Sequence, residues 1–226
     1  MCRMFKAVFL DFYGTLVQED EDFLERIVRR ISESSSLRTR PGEIGTYWSA
    51  CFARACRSSF GEHYQTQREI ELASLKDTLH RFQSSESPDQ LSEILYAYWE
   101  APDLCEDTRP FLDRLKQPRI VVSNIDRMDV QAAIRHHSLP LEDVITSEDA
   151  RAYKPRPEMF HMALETFNLR PGEVLHVGDS LSSDIAGAQS AGIKSAWINR
   201  NNRKAPSHYS PDFMVQSLTE LIPLLE

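Results

Sequence analysis

The run Ala7-Val8-Phe9-Leu10-Asp11-Phe12-Tyr13-Gly14-Thr15-Leu16 restricts the possible folds of this chain more than any other segment. Four apolar residues lead without polar alternation into a carboxylate and then a glycine turn. Such a run reads as a strand buried on both faces of a parallel sheet. Asp11 then stands at the strand's carboxyl end, where open α/β sheets hold their ligands.

The rest of the chain must supply the sheet. From about residue 104, apolar strand-like runs at 119–123, 144–146, 174–177 and 194–198 alternate with helical patterns at 111–116, 128–136, 157–167 and 184–191. That alternation predicts a parallel sheet covered by helices on both faces. Between the first strand and this block, Phe23, Leu24, Ile27, Val28 and Ile31 recur at helical spacing, and residues 44–60, 70–82 and 91–99 read as three further helices. The expected fold is therefore α/β, a Rossmann-like parallel-sheet core of residues 1–16 and 104–226 with an all-helical domain of residues 17–103 inserted. The crossings fall at 17–20 and 103–107.

A chain of 226 residues with 41% hydrophobic and 27% charged residues has the composition of a folded globular domain. Its formal charge of −8 argues against a nucleic-acid or membrane-surface partner. No apolar run approaches the roughly 18 residues of a membrane span, and Asp11 interrupts the only stretch resembling a signal sequence. Cys2, Cys51, Cys56 and Cys105 lack zinc or CxxC spacing, so reduced thiols and a cytoplasmic location are expected.

Several strands end in polar clusters. The first offers Asp11, Tyr13 and Thr15; the second ends in Ser123-Asn124; another ends in Gly178-Asp179-Ser180, with Asp184 five residues beyond Asp179. Tyr153-Lys154-Pro155 precedes the helix at 157–167. Taken singly, each has a structural explanation: Ser-Asn as a turn or cap, Asp184 as a helix cap, Lys154 as solvated surface. Together they converge on one edge of one sheet. In order, these motifs resemble the four motifs of the haloacid dehalogenase-like hydrolase superfamily, and the helical insertion resembles that family's C1-type cap.

The resemblance implies Asp11 as a nucleophile, acting through an aspartyl-phosphate intermediate on a small phosphorylated substrate. Each pair of like unit charges about 4 Å apart costs roughly 4 kcal/mol at an effective dielectric of 20, so an anionic substrate needs countercharge beside Asp11. Lys154 supplies one positive charge. Asp179 and Asp184, with Asp11 and the Tyr13 carbonyl, are implied to hold Mg²⁺, which favours oxygen ligands. Ser123, Asn124, Gly14 and Thr15 are implied substrate contacts, and the catalytic set is Asp11, Tyr13, Ser123 and Lys154. A monomer or homodimer is expected.

Tyr13 departs from the phosphatase pattern, which carries a second aspartate there as general acid and base. Tyrosine, with a pKa near 10, is a poor base at neutral pH. Tyrosine at this position resembles instead the 2-haloacid dehalogenases of the superfamily, in which Asp11 would attack carbon and expel halide. Those enzymes resemble Ser-Ser-Asn where this chain has Gly178-Asp179-Ser180, and carry tyrosine where it has Phe160. The metal-type acids favour phosphate transfer; dehalogenation, with Arg54 or Arg57 holding the substrate carboxylate, is the alternative. A catalytically weak ligand-binding protein is the third reading. Elsewhere, Tyr47, Trp48 and Phe52 are expected in the insertion's core, one of them being a candidate for the pocket wall, with His176 against a helix layer, His136-His137 at a helix end, and Arg156 in solvent.

Overall fold

A computed structural model describes residues 5–141 and 143–226; Cys2 lies outside the described residues. Strand β1 (Ala7–Leu10) is followed by four helices, α1 (Glu21–Ser34), α2 (Pro41–Ser58), α3 (Gln67–Arg81) and α4 (Pro88–Glu100). Then come α5 (Thr108–Arg114), β2 (Arg119–Ser123), α6 (Arg127–His137), β3 (Asp143–Thr146), α7 (Ser147–Ala150), α8 (Glu158–Thr166) and β4 (Val174–Gly178). A π-helical turn, Leu181–Ile185, leads into α9 (Ala186–Ser190), and β5 (Lys194–Ile198), β6 (Phe213–Val215) and α10 (Ile222–Leu225) close the chain.

The six strands form one sheet in the order β3-β2-β1-β4-β5-β6, with every pairing parallel. β1 lies centrally, with Leu10 in register with Val121 on one side and Val177 on the other. Its side chains divide by parity. Val8 and Leu10 join the larger apolar cluster, while Ala7 and Phe9 face Met159, Phe160 and Ala163 of α8. Both faces are covered, which is why β1 carries no polar alternation. Successive strands are added to one side of β1 and then to the other, so the crevice at the carboxyl ends of β1, β2 and β4 is the place for a ligand site.

The larger cluster also takes in Ile27 and Ile31 of α1, Trp48 of α2, Leu75 of α3 and Leu95 and Trp99 of α4, so the inserted helices share one apolar body with the sheet. Their start signals are local. Pro41 and Pro88 occupy the first turns of α2 and α4, while Thr66 and Glu69 form a capping box at α3. The two crossings run side by side: Val17 bridges Leu104, Gln18 N–H donates to the Asp103 carbonyl at 2.8 Å, and Cys105 N–H to that of Leu16 at 3.1 Å.

Two elements differ from the sequence expectation. The helix predicted from Asp184 begins earlier, because Ser180 is its N-cap: its hydroxyl accepts the Ser183 N–H at 3.2 Å, and its carbonyl accepts both Asp184 and Ile185 N–H. Capping therefore does not account for Asp184. The three residues of β6 are too few to give a periodic signal.

Candidate active site

Asp11, Ser123 and Asp179 stand at the ends of β1, β2 and β4, and Lys154 precedes α8. With Tyr13, Asn124 and Asp184 they line one cavity of about 690 Å³. Its other wall comes from the helical insertion: Leu24 and Val28 of α1, Trp48 and Phe52 of α2, Glu71 of α3 and Trp99 of α4. The site thus lies between sheet edge and cap.

Lys154 is its buried hub. The ammonium donates to Asp11 Oδ1 at 2.7 Å, Asp184 Oδ1 at 2.6 Å and the Val122 carbonyl at 2.9 Å. Three acceptors match three N–H donors. Burial works against the charge, but the two carboxylates outweigh it and push the lysine's pKa up. Asn124 positions this residue, its side-chain oxygen accepting the Lys154 backbone N–H at 2.7 Å. Asp184 also accepts from His176 Nε2 at 3.0 Å and from the Ser180 N–H at 3.0 Å. Against its own burial, Lys154 and His176 hold its carboxyl far below the usual range. Burial lowers the pKa of His176, and its Nδ1 has no hydrogen-bond partner among the described residues, which fits a neutral ring protonated on Nε2. His176 does face α8, edge-on to Phe160, as expected; its bond to Asp184 went unforeseen. Strand alternation carries the signal, because residues 176 and 178 share a face.

Close approach explains the glycines. A Cβ on Gly178 would lie 2.2 Å from Asp184 Cγ. Gly14 has φ +77°, and a Cβ there would lie 2.7 Å from Asp179 Cγ and 2.5 Å from Glu19 Oε1. The loop after β5 clamps the same place. Trp197 Nε1 and Arg203 each donate to the Asp179 carbonyl at 2.8 Å. Arg200 donates to the carbonyls of Gly14 and Thr15 and to Asp107, each at 2.8 Å.

Asp11, Asp179 and Asp184 offer carboxylate oxygens all within 4.8 Å of one another. Burial, then Asp184, raises the Asp11 carboxyl to about 6 despite Lys154. Burial, then Asp184 and Asp11, raises Asp179 to about 7, with Arg203 too exposed to compensate. One lysine does not neutralise two buried acids and a half-buried third, so the cluster lacks positive charge. An all-oxygen donor set with that deficit fits a hard divalent cation such as Mg²⁺. Asp11 and Asp179 carry the more available oxygens, since both oxygens of Asp184 already accept hydrogen bonds.

Two of the expected substrate contacts stand apart from the cavity. Gly14 and Thr15 lie outside the cavity wall; Thr15 is fully buried, and both carbonyls are taken by Arg200. Arg54 and Arg57 also lie outside it, while Arg29 of α1 stands at the wall. Arg156 pairs with Glu158 at 2.7 Å and covers the Phe60 ring. Of the cap aromatics, Trp48 and Phe52 reach the cavity and Tyr47 does not. The acids Glu19, Asp20, Glu25 and Glu71, also on the wall, carried no sequence motif; only the structure singles them out. The Tyr13 hydroxyl donates to the Trp99 carbonyl of the cap, and burial, then Asp129, drives its pKa further up.

A family model described as haloacid dehalogenase-like hydrolase matches residues 5–192. The N-acylneuraminate-9-phosphatase of Homo sapiens is 26% identical across 98% of this chain and 94% of that protein. Pyrophosphatase PpaX of Bacillus cereus is 28% identical across 71% of this chain and 81% of its own length. The solved L-2-haloacid dehalogenase of Xanthobacter autotrophicus superposes with a TM-score of 0.78 at 21% identity, covering 98% of each chain, a likeness of fold.

Proposed function

The chain belongs to the haloacid dehalogenase-like hydrolases, and on that premise we propose an Asp11-nucleophile hydrolase for substrates whose leaving group departs without a proton from the enzyme. Within that class we favour Mg²⁺-dependent hydrolysis of a small phosphorylated molecule. The carrying observation is the group of Asp11, Asp179 and Asp184, two of them buried and paired with Lys154.

In this reading Asp11 Oδ attacks phosphorus, the P–O bond to the leaving group breaks, and an aspartyl-phosphate forms. Water then attacks the same phosphorus, the bond to Asp11 breaks, and phosphate leaves with the carboxylate restored. Asp11 and Asp179, with Asp184 behind them, would hold Mg²⁺, which would supply charge stabilisation to the phosphoryl oxygens. Lys154 holds Asp11 in place and keeps it ionised. Ser123, at the end of β2, is the candidate donor to a phosphoryl oxygen. Tyr13 transfers no proton in this scheme, because its hydroxyl is committed to Trp99 and its pKa lies far above neutrality. Aryl phosphates, acyl phosphates and phosphoanhydrides meet that condition, and the resemblance to a pyrophosphatase agrees with it.

One observation favours a second reading. Halide also leaves unprotonated, so Tyr13 costs a carbon–halogen hydrolysis nothing. The test measures phosphate release from phosphomonoesters and pyrophosphate, with Mg²⁺ or with chelator, beside halide release from 2-chloropropionate. Metal-dependent phosphate release, lost in Asp11→Asn, is expected. Chelator-resistant halide release without phosphate release would replace the phosphate reading by the second.

A further inference from the structure

The cavity wall carries seven carboxylates among the described residues and two basic side chains, Lys154 and Arg29. Lys154 is fully engaged by Asp11, Asp184 and a carbonyl, and Arg29 is exposed. An anionic group is therefore accommodated only at the sheet edge, beside the metal-type acids. The cap-side end has the opposite character.

Glu71, on α3, is its centre. Its side chain is 4% exposed, it lines the cavity, and Oε1 has no hydrogen-bond partner among the described residues. A buried carboxylic oxygen left unpaired carries a desolvation penalty that native interiors avoid unless a ligand removes it. Asp20 stands on the same wall, with its carboxylate fixed by Trp99 Nε1 at 2.9 Å. Around these acids lie the rings of Trp48, Phe52 and Trp99. Trp48 is itself held in place, its Nε1 donating to Ser74 Oγ at 3.2 Å. Aromatic faces beside carboxylates attract a cation and repel a phosphate or a second carboxylate.

We propose that the cap-side end of this cavity is a subsite for an organic ammonium group, with Glu71 as its acceptor, so that the substrate carries a cation at the end remote from the bond cleaved. On the reading given above, which this inference extends, the substrate class is an aryl phosphate, acyl phosphate or phosphoanhydride that carries an amine. Its anionic end meets Asp11 and its cationic end meets Glu71. Burial, then Asp20, raises the Glu71 carboxyl to about 8, the behaviour of an acid that lacks its countercharge. A glutamine cannot supply that charge, although it matches the side chain's shape.

The test separates binding from turnover. Calorimetry of the full chain with benzylammonium and with its neutral isostere benzyl alcohol reads the subsite alone. The ammonium is expected to bind at least tenfold more tightly than the alcohol, with the preference lost in Glu71→Gln and retained in the inactive Asp11→Asn. Equal binding of the two compounds, binding of neither, or a preference unchanged in Glu71→Gln overturns the proposal. Turnover of matched aryl phosphates, one bearing an aminomethyl and the other a hydroxymethyl group, forms the second arm, with kcat/KM expected to favour the amine by tenfold or more in the wild type only. Phosphate release from no ester or anhydride, alongside Glu71-dependent ammonium binding, would sink the phosphohydrolase reading and leave the subsite standing.

Discussion

At position 13 a single side chain decides which bonds the site can break. The Tyr13 hydroxyl is spent on the Trp99 carbonyl, and burial pushes its pKa still further above neutrality. Tyr13→Asp would place a titratable group beside the leaving atom, and general acid catalysis is worth on the order of 10²–10⁴ in rate. The expected outcome is a larger kcat gain on alkyl than on aryl phosphates; an equal gain on both would contradict the leaving-group argument. Glu71 makes a prediction of the opposite kind, about stability. Its folded pKa of about 8 lies above the ordinary glutamate value of 4.5. Between those values the folded state keeps a proton that the unfolded state has released, so stability falls as pH rises. The slope approaches about 1.4 kcal/mol per pH unit. Glu71→Gln should therefore match the wild type near pH 4.5 and exceed it by up to about 3 kcal/mol at pH 7, as read by urea denaturation. A gap independent of pH would show that Glu71 is not buried as described.

Between elements, the cap is fastened to the core at the start of α3. Asp126, which precedes α6, accepts the backbone N–H groups of Gln67 at 2.7 Å and Arg68 at 2.9 Å, and Arg68 continues onto Asp129. A core carboxylate thus occupies a helix N-terminus of the cap, where orphan N–H groups and the helix dipole favour negative charge. Gln67 and Glu71 lie on that helix and on the cavity wall. Asp126→Ala should cost about 2 kcal/mol of stability. It should also raise KM more than it lowers kcat, because the wall shifts while Asp11 and Lys154 stay in place; an effect on kcat alone would contradict this. This fastening is where sequence reading stops. β1, β2, β4 and β5 were legible because burial on both faces leaves unbroken apolar runs, and the acids at their ends were legible because turns follow directly. The bonds Asp126–Gln67 and Tyr13–Trp99 join residues 59 and 86 positions apart, and no local pattern encodes them. The bonds from Arg200 to the carbonyls of Gly14 and Thr15 are equally hidden, because Arg200 lies far along the chain.

Across the whole molecule, the binding chemistry is polarised. Uncompensated acids meet at the sheet edge, and a second group of acids, set among aromatic rings, lies under the cap. Saturating Mg²⁺ at about 100 times its Kd would add about 2.7 kcal/mol to stability. For a chain of this size that corresponds to roughly 5–10 °C in Tm, reversed by chelator. Asp179→Asn should abolish that shift and, by removing a carboxylate whose ionisation burial and its neighbours oppose, raise the Tm of the metal-free protein at pH 8. A shift that survives Asp179→Asn would place the cation elsewhere. The central claim is that Asp11 is the group that attacks phosphorus, and borohydride tests it directly. Enzyme quenched during turnover of a phosphorylated substrate with Mg²⁺ is reduced, digested and read by mass spectrometry. The account predicts homoserine at position 11, dependent on both substrate and Mg²⁺. Aspartate unaltered at position 11 while phosphate is being released would contradict it.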